Sequence, residues 1–348
     1  MLSVKNPIMT GFFPDPSICR VGNKFYTVHS TFAYFPGVPV FESEDLVHWN
    51  LISNVLDRDS QVPLSGCQHS QGIFAPTIRY HKGTWYMITT NVSDQGNFIV
   101  TAKDPRGPWS EPYYLGESTG GIDPSLFFDD DGTCYYIGQR PRSAGYRYNG
   151  DCEIWIQTLD LDTMQLKPDA TIVLTGFQRK AIWPEGPHLY KKDGYYYILH
   201  AESGTSIHHS VMIARSKNVF GPYEYCPCNP ILTHRHLGAQ YPVTCVGHAD
   251  LVDDGNGNWY MVVLACRPNQ GYTLLGRETF LAKVTWEDGW PVVNAGVGHL
   301  EEVVTLPYEG QPSDDVPQCK TYTFDTPSLP LELLTLRNHR DHELELHL

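Results

Sequence analysis

Apolar and polar positions alternate in short runs along the chain, and one such pattern, a hairpin, returns five times. Asp15-Pro16-Ser17-Ile18 leads through a turn to Phe25-Tyr26, Ala75-Pro76-Thr77-Ile78 to Trp85-Tyr86, and Asp123-Pro124-Ser125-Leu126 to Cys134-Tyr135-Tyr136. Gly186-Pro187-His188-Leu189 leads to Tyr195-Tyr196-Tyr197, and His248-Ala249-Asp250-Leu251 to Trp259-Tyr260. In each, an apolar residue opens a short strand, a turn follows, and an aromatic pair opens the next strand. Lys82-Gly83, Asp131-Gly132, Asp193-Gly194 and Asn256-Gly257 supply turn residues that tolerate positive φ. The first positions of the five phrases are 48 to 63 residues apart, a spacing that predicts an all-β, five-bladed β-propeller. Weaker echoes at Ser43–Trp49, Lys103–Trp109 and Ser216–Tyr223 predict blade-closing turns. No sustained helical periodicity competes with this pattern.

The repeat stops near Pro307. Residues 309–316 read as a Gly/Pro/Asp-rich linker, and Tyr322 to Asn338 as the opening strand of a separate β-sandwich, too short to bury a core alone. The expected organisation is a catalytic propeller over 1–307, followed over 308–348 by a linker and the truncated beginning of a C-terminal β-sandwich.

The net charge of −14 repels polyanions and argues against a nucleic-acid partner. The first thirteen residues lack a basic segment followed by an apolar run, and no stretch is apolar enough to span a membrane, which predicts a cytoplasmic protein with no membrane partner. The nine cysteines are an odd count, lie mostly in strand-like segments, and suit a reducing compartment. Asp129-Asp130-Asp131-Gly132 and Asp253-Asp254-Gly255 lack the spaced ligands and terminal glutamate of an EF-hand, so they read as turns.

Blades pack around a common axis, so the first positions of the five phrases, Asp15, Ala75, Asp123, Gly186 and His248, should converge at one end of the channel. The prolines after Asp15 and Asp123 are expected to hold both aspartates extended at a strand start. Glu185, in Trp183-Pro184-Glu185-Gly186-Pro187, stands one place earlier, where a longer side chain reaches the same space. A rigid carboxyl with aromatic neighbours should have a raised pKa, as a general acid requires. Three carboxyls around one axis, without a Ser or Cys nucleophile signature, fit acetal hydrolysis.

Five segments, Phe13-Pro14-Asp15-Pro16-Ser17, Phe74-Ala75-Pro76-Thr77-Ile78-Arg79-Tyr80-His81, Ile122-Asp123-Pro124-Ser125-Leu126, Trp183-Pro184-Glu185-Gly186-Pro187-His188 and Leu275-Gly276-Arg277-Glu278-Thr279-Phe280, closely resemble glycoside hydrolase family 43, the β-xylosidase and α-L-arabinofuranosidase family. The resemblance runs in order from about Asn6 to Pro307. It implies Asp15 as general base, Glu185 as general acid and Asp123 as the residue that orients the acid and tunes its pKa, with inversion at the anomeric carbon. It further implies that Arg277 reaches the sugar and the catalytic carboxylates, that Phe32 and Phe74 form apolar walls, and that Ala75, Pro76 and Thr205 line the pocket. His248 would touch substrate or hold a hydrated Ca2+ in the central channel, and no cofactor is required.

The function so implied is that of an inverting exo-glycosidase. It would release terminal β-D-xylosyl residues, with α-L-arabinofuranosyl residues as the second candidate, from short xylo- or arabino-oligosaccharides. The oligomeric state stays open, a homo-oligomer included. Two rivals remain: a retaining β-fructosidase-like enzyme, whose Arg-Asp-Pro and Glu-Cys motifs correspond here to Ile122-Asp123-Pro124 and Glu185-Gly186, and a non-catalytic carbohydrate-binding propeller.

Overall fold

The computed structural model describes residues 1–116, 120–176, 179–311, 320–325 and 329–337. Five antiparallel sheets succeed one another along the chain. Their inner strands are Ser17–Val21, Thr77–His81, Ile122–Phe128, Glu185–Lys192 and Thr244–Asp253, and each pairs with the strand opened by the aromatic residues of its phrase. Each inner strand touches that of the next blade and the last touches the first, so the five-bladed propeller closes on itself.

The aromatic pairs explain why the repeat builds a ring. Neighbouring side chains on a strand point to opposite faces, so each pair serves two blade interfaces. Trp85 packs between blades one and two while Tyr86 packs between two and three. Tyr196 serves the interface of blades three and four, and Tyr197 that of four and five. Trp259 faces blade four, whereas Tyr260 and Phe25 meet across the seam between blades five and one.

That seam carries an extra clasp. Leu2–Lys5 pairs antiparallel with Val303–Leu306, burying Leu2, Val4, Val304 and Leu306. The Asn6 side chain accepts from the Leu281 amide at 2.8 Å and donates to the Leu281 carbonyl at 2.8 Å.

On the axis, Asp250 is fully buried and joins four blades. It accepts from Ser17 Oγ at 2.8 Å, the Ile18 amide at 3.0 Å, Arg79 Nη1 at 3.1 Å and Tyr190 Oη at 2.5 Å. Burial opposes its charge, but Arg79 leads a set of partners that holds its carboxyl down at about 2.

Residues 331–337 lie against blade one. Thr335–Leu336 pairs with Tyr34–Phe35, the Arg337 amide donates to the Ala33 carbonyl at 2.7 Å, and Asn54 Nδ2 donates to the Leu331 carbonyl at 3.1 Å. The remainder of 308–348 falls largely outside the described residues. No helix among the described residues is long and apolar enough to cross a membrane.

Candidate active site

The first positions of the repeat do converge, with a backbone that the proline rule did not foresee. Asp15, Asp123, Gly186 and His248 have φ values of 53°, 55°, 59° and 52°. The extended conformation expected for Asp15 and Asp123 is therefore replaced by a left-handed one. In blades three, four and five the cause is a local shift of register between the first two strands, spanning Asp123, Gly186 and His248. Such bulges re-aim side chains, here toward the axis. A left-handed non-glycine residue costs roughly 1–3 kcal/mol, offset by the interblade packing that surrounds it.

These side chains open onto a cavity of about 1210 Å³. Its wall includes Asp15, Phe32, Phe74, Ala75, Asp123, Glu185, Thr205, His248 and Arg277. Pro76 is buried and forms no part of that wall, which corrects the expectation for this residue. Phe32 and Phe74 pack edge to face with ring centres 5.3 Å apart. The Arg277 guanidinium lies 4.8 Å from the centre of the Phe32 ring.

The three carboxyls have contrasting surroundings. Asp15 is buried, and burial alone would raise its pKa. Arg277, with Nη1 at 3.1 Å, then His248 and the Ser30 hydroxyl donating at 2.6 Å, outweigh that penalty and hold the carboxyl below its ordinary value. Glu185 is pushed well above the ordinary glutamate value, first by burial, then by the like charges of Asp123 and Asp15. Asp123 is pushed up to about 6, chiefly by burial. It accepts from the Gly186 amide at 3.2 Å, so it is tied to the backbone that carries Glu185.

Gly186 is required on two counts. Its φ is left-handed, and a Cβ there would lie 2.9 Å from Cε1 of His248. His248 Nδ1 stands 4.0 Å from Asp15 Oδ1. His209, behind it, gives its Nδ1 to the Cys245 carbonyl at 3.0 Å, and burial lowers its pKa to about 4, so it stays neutral.

The donor set around His248 does not suit a protein-held metal ion. Asp15, the carboxylate within 4.0 Å of the imidazole, is already engaged by Arg277 and Ser30, and among the described residues no three His, Cys, Asp or Glu side chains converge to hold an ion. This donor set lends no support to the expected hydrated Ca2+ at His248, and the position of the imidazole favours contact with a ligand in the cavity.

Several residues of the site escaped the sequence reading. Ser30 follows the second strand of blade one and carries no motif of its own. Tyr146, Arg147, Tyr148 and Asn149 reach the cavity from a loop of blade three, and Trp183 stands on its rim, 41% exposed. Gly204 gives Trp183 its place, since a Cβ there would lie 2.9 Å from the indole. Trp183 and Gly204 flank Glu185, and the Trp183-Pro184-Glu185 run was the one available signal.

One carboxyl held below its ordinary pKa and one pushed well above it thus share one cavity, beside an arginine and an apolar wall. The sequence of this chain matches Glycosyl hydrolases family 43 over residues 4–291. The chain belongs to that family. It is 66% identical over 307 residues to "Xylosidase/arabinosidase" of Butyrivibrio fibrisolvens, covering 88% of this chain and 59% of that protein. It is 44% identical to "Non-reducing end alpha-L-arabinofuranosidase BoGH43B" of Bacteroides ovatus, covering 96% of this chain and 61% of that one. Among solved structures, xylan beta-1,4-xylosidase from Bacillus halodurans C-125 superposes with a TM-score of 0.86 at 40% identity, covering 96% of this chain and 64% of that one. The chain thus spans about three fifths of the length of these relatives.

Proposed function

We propose that this chain carries the active site of an inverting exo-glycosidase that removes terminal β-D-xylosyl residues, and α-L-arabinofuranosyl residues as a second substrate, from short oligosaccharides. The observation that carries the reading is the opposite displacement of Asp15 and Glu185 within one cavity. Paired carboxyls driven apart in pKa take the base and acid roles. Asp15, charged, takes a proton from the water that attacks the anomeric carbon. Glu185, protonated, gives its proton to the departing glycosidic oxygen, and the freed sugar carries the inverted configuration. Asp123 positions Glu185 through Gly186 and keeps its proton on by like charge. Arg277 keeps Asp15 ionised, and Phe32 and Phe74 offer an apolar face to the sugar. The names of the similar proteins, a xylosidase/arabinosidase and an α-L-arabinofuranosidase, support the two pentoses.

We also infer a cytoplasmic setting, supported by the free state of all eight described cysteines. A further module after residue 307 is supported by the greater length of the relatives.

The test is hydrolysis of 4-nitrophenyl β-D-xylopyranoside and α-L-arabinofuranoside, with the first-formed anomer of a β-xyloside followed by NMR. Release of α-xylose supports the reading. Initial β-xylose would indicate a retaining, fructosidase-like site, and binding of xylobiose without turnover a carbohydrate-binding propeller.

A further inference from the structure

Cys245 and Cys266 lie on the first two strands of blade five, where Thr244 pairs with Cys266 and the register then shifts. Cys245 takes a left-handed φ of 58°, and both cysteines reach the wall of the cavity that holds Asp15, Glu185 and Arg277. Cys245 directly follows the register partner of Cys266, and the two side chains open on the same cavity. Thr244 Oγ1 lies 3.7 Å from the Cys245 sulfur. Both thiols are free.

We propose that Cys245 and Cys266 form a thiol–disulfide exchange site in the cavity wall, which low-molecular-weight disulfides convert to an intramolecular disulfide that suppresses turnover. The suppression rests on the glycosidase reading above, whereas the exchange chemistry does not.

Reactivity in this cavity is selective. Cys245 is half-buried where Cys266 and Cys152 are buried, so a small disulfide reaches it first, and Cys266, Thr244 and Arg277 together lower its thiol below the ordinary value. Cys152 lies on the same wall, but burial, followed by the charge of Glu185, pushes its thiol up to about 12. Cys245 is thus the nucleophile and Cys266 its resolving partner. The Cys245 thiolate attacks one sulfur of the small disulfide, breaking its S–S bond and releasing one small thiolate. Cys266 then attacks the Cys245 sulfur of the mixed disulfide and expels the second small thiolate, which takes the Cys266 proton. Two protein thiols are oxidised, and one small disulfide is reduced to two thiols.

The new bond acts on the site through the backbone. The Cys245 carbonyl holds Nδ1 of His209 at 3.0 Å, and the His209 ring lies so close to Gly247 that a Cβ there would approach it to 2.4 Å. Three residues beyond Cys245, His248 faces Asp15. On the other side, Ala265 pairs with Glu278, directly after Arg277. Drawing Cys245 and Cys266 together therefore displaces His248 and Arg277, the two neighbours of the base.

The experiment uses the full chain carrying Cys228→Ser, which removes the one exposed described cysteine, incubated with oxidised glutathione. The expected result is a Cys245–Cys266 disulfide by peptide mapping, a loss of 4-nitrophenyl β-D-xyloside hydrolysis of roughly tenfold or more, and recovery on addition of dithiothreitol. Adding Cys266→Ser should trap glutathione on Cys245 instead of the internal bond. A disulfide that maps elsewhere, or one that maps here with unchanged turnover, overturns the proposal. Absence of hydrolysis before oxidation would count against the glycosidase reading alone, and the mapped bond would still decide the thiol chemistry.

Discussion

The amide of Gly186 donates to Oδ2 of Asp123 at 3.2 Å, joining the inner strands of blades three and four directly beside Glu185. One carboxylate therefore fixes the backbone that carries Glu185 and, next to burial, raises the pKa of that side chain through its charge. Asp123→Asn keeps an acceptor for the amide but removes the charge. It should move the basic limb of the kcat/KM profile to lower pH, because Glu185 then loses its proton sooner, and pH–rate measurements check this.

Asp15→Asn and Glu185→Gln should each lower turnover of xylobiose by several orders of magnitude, with the circular dichroism spectrum unchanged. Each removes one proton-transfer partner, worth roughly 10²–10⁴-fold by itself. The 4-nitrophenyl glycoside should partly rescue Glu185→Gln and not Asp15→Asn, since a good leaving group needs little protonation. Near-native turnover by Asp15→Asn would refute its assignment as base.

The raised pKa of Asp123 also sets a pH dependence of stability. A carboxyl at about 6 in the folded protein and near 3.8 otherwise binds the proton more tightly when folded. Its contribution is complete below the unfolded value and is lost as pH rises through about 6, a change of roughly 3 kcal/mol. Asp15 acts in the opposite sense, its contribution being present above the unfolded value and lost as pH falls through the lowered one. Urea unfolding should find Asp123→Asn more stable than the parent at pH 7 and nearly equal to it at pH 4.

Gly186→Ala should destabilise the protein by roughly 1–3 kcal/mol, because alanine must take a left-handed φ. It should also weaken activity, because the methyl group displaces the His248 ring. Denaturant midpoints and kinetics on the same preparation separate the two effects.

The segment 335–337 should exchange its amide hydrogens slowly, because it is paired with blade one. Truncation after Gly310 should speed exchange over Ala33 to Phe35 and leave the other blades unaffected. Rapid exchange of 335–337 in the full chain would show that this pairing does not persist in solution.

The propeller was legible because alternation and the aromatic pairs are local, and each pair by itself points to two blade interfaces. The three acids and Arg277 were legible because they sit at fixed offsets within the repeat or its family-like segments. The left-handed backbone of Asp15 and Asp123 was not, since the local preference of a residue before proline points the other way and only packing around the ring overrides it. Ser30, Tyr146 and the docking of Thr335 on Phe35 depend on contacts between residues distant in sequence, which leave no periodic trace.

The four left-handed positions also limit which amino acids the ring can present. Outside glycine, aspartate, asparagine and histidine enter that conformation most readily, and the chain uses aspartate, aspartate, glycine and histidine there. A glutamate suits such a seat poorly, and the long-armed acid stands instead one residue earlier, in blade four. The bulged backbone thus acts as a filter on the catalytic alphabet, and new chemistry in this scaffold would come more readily from neighbouring positions and rim loops than from the four seats themselves.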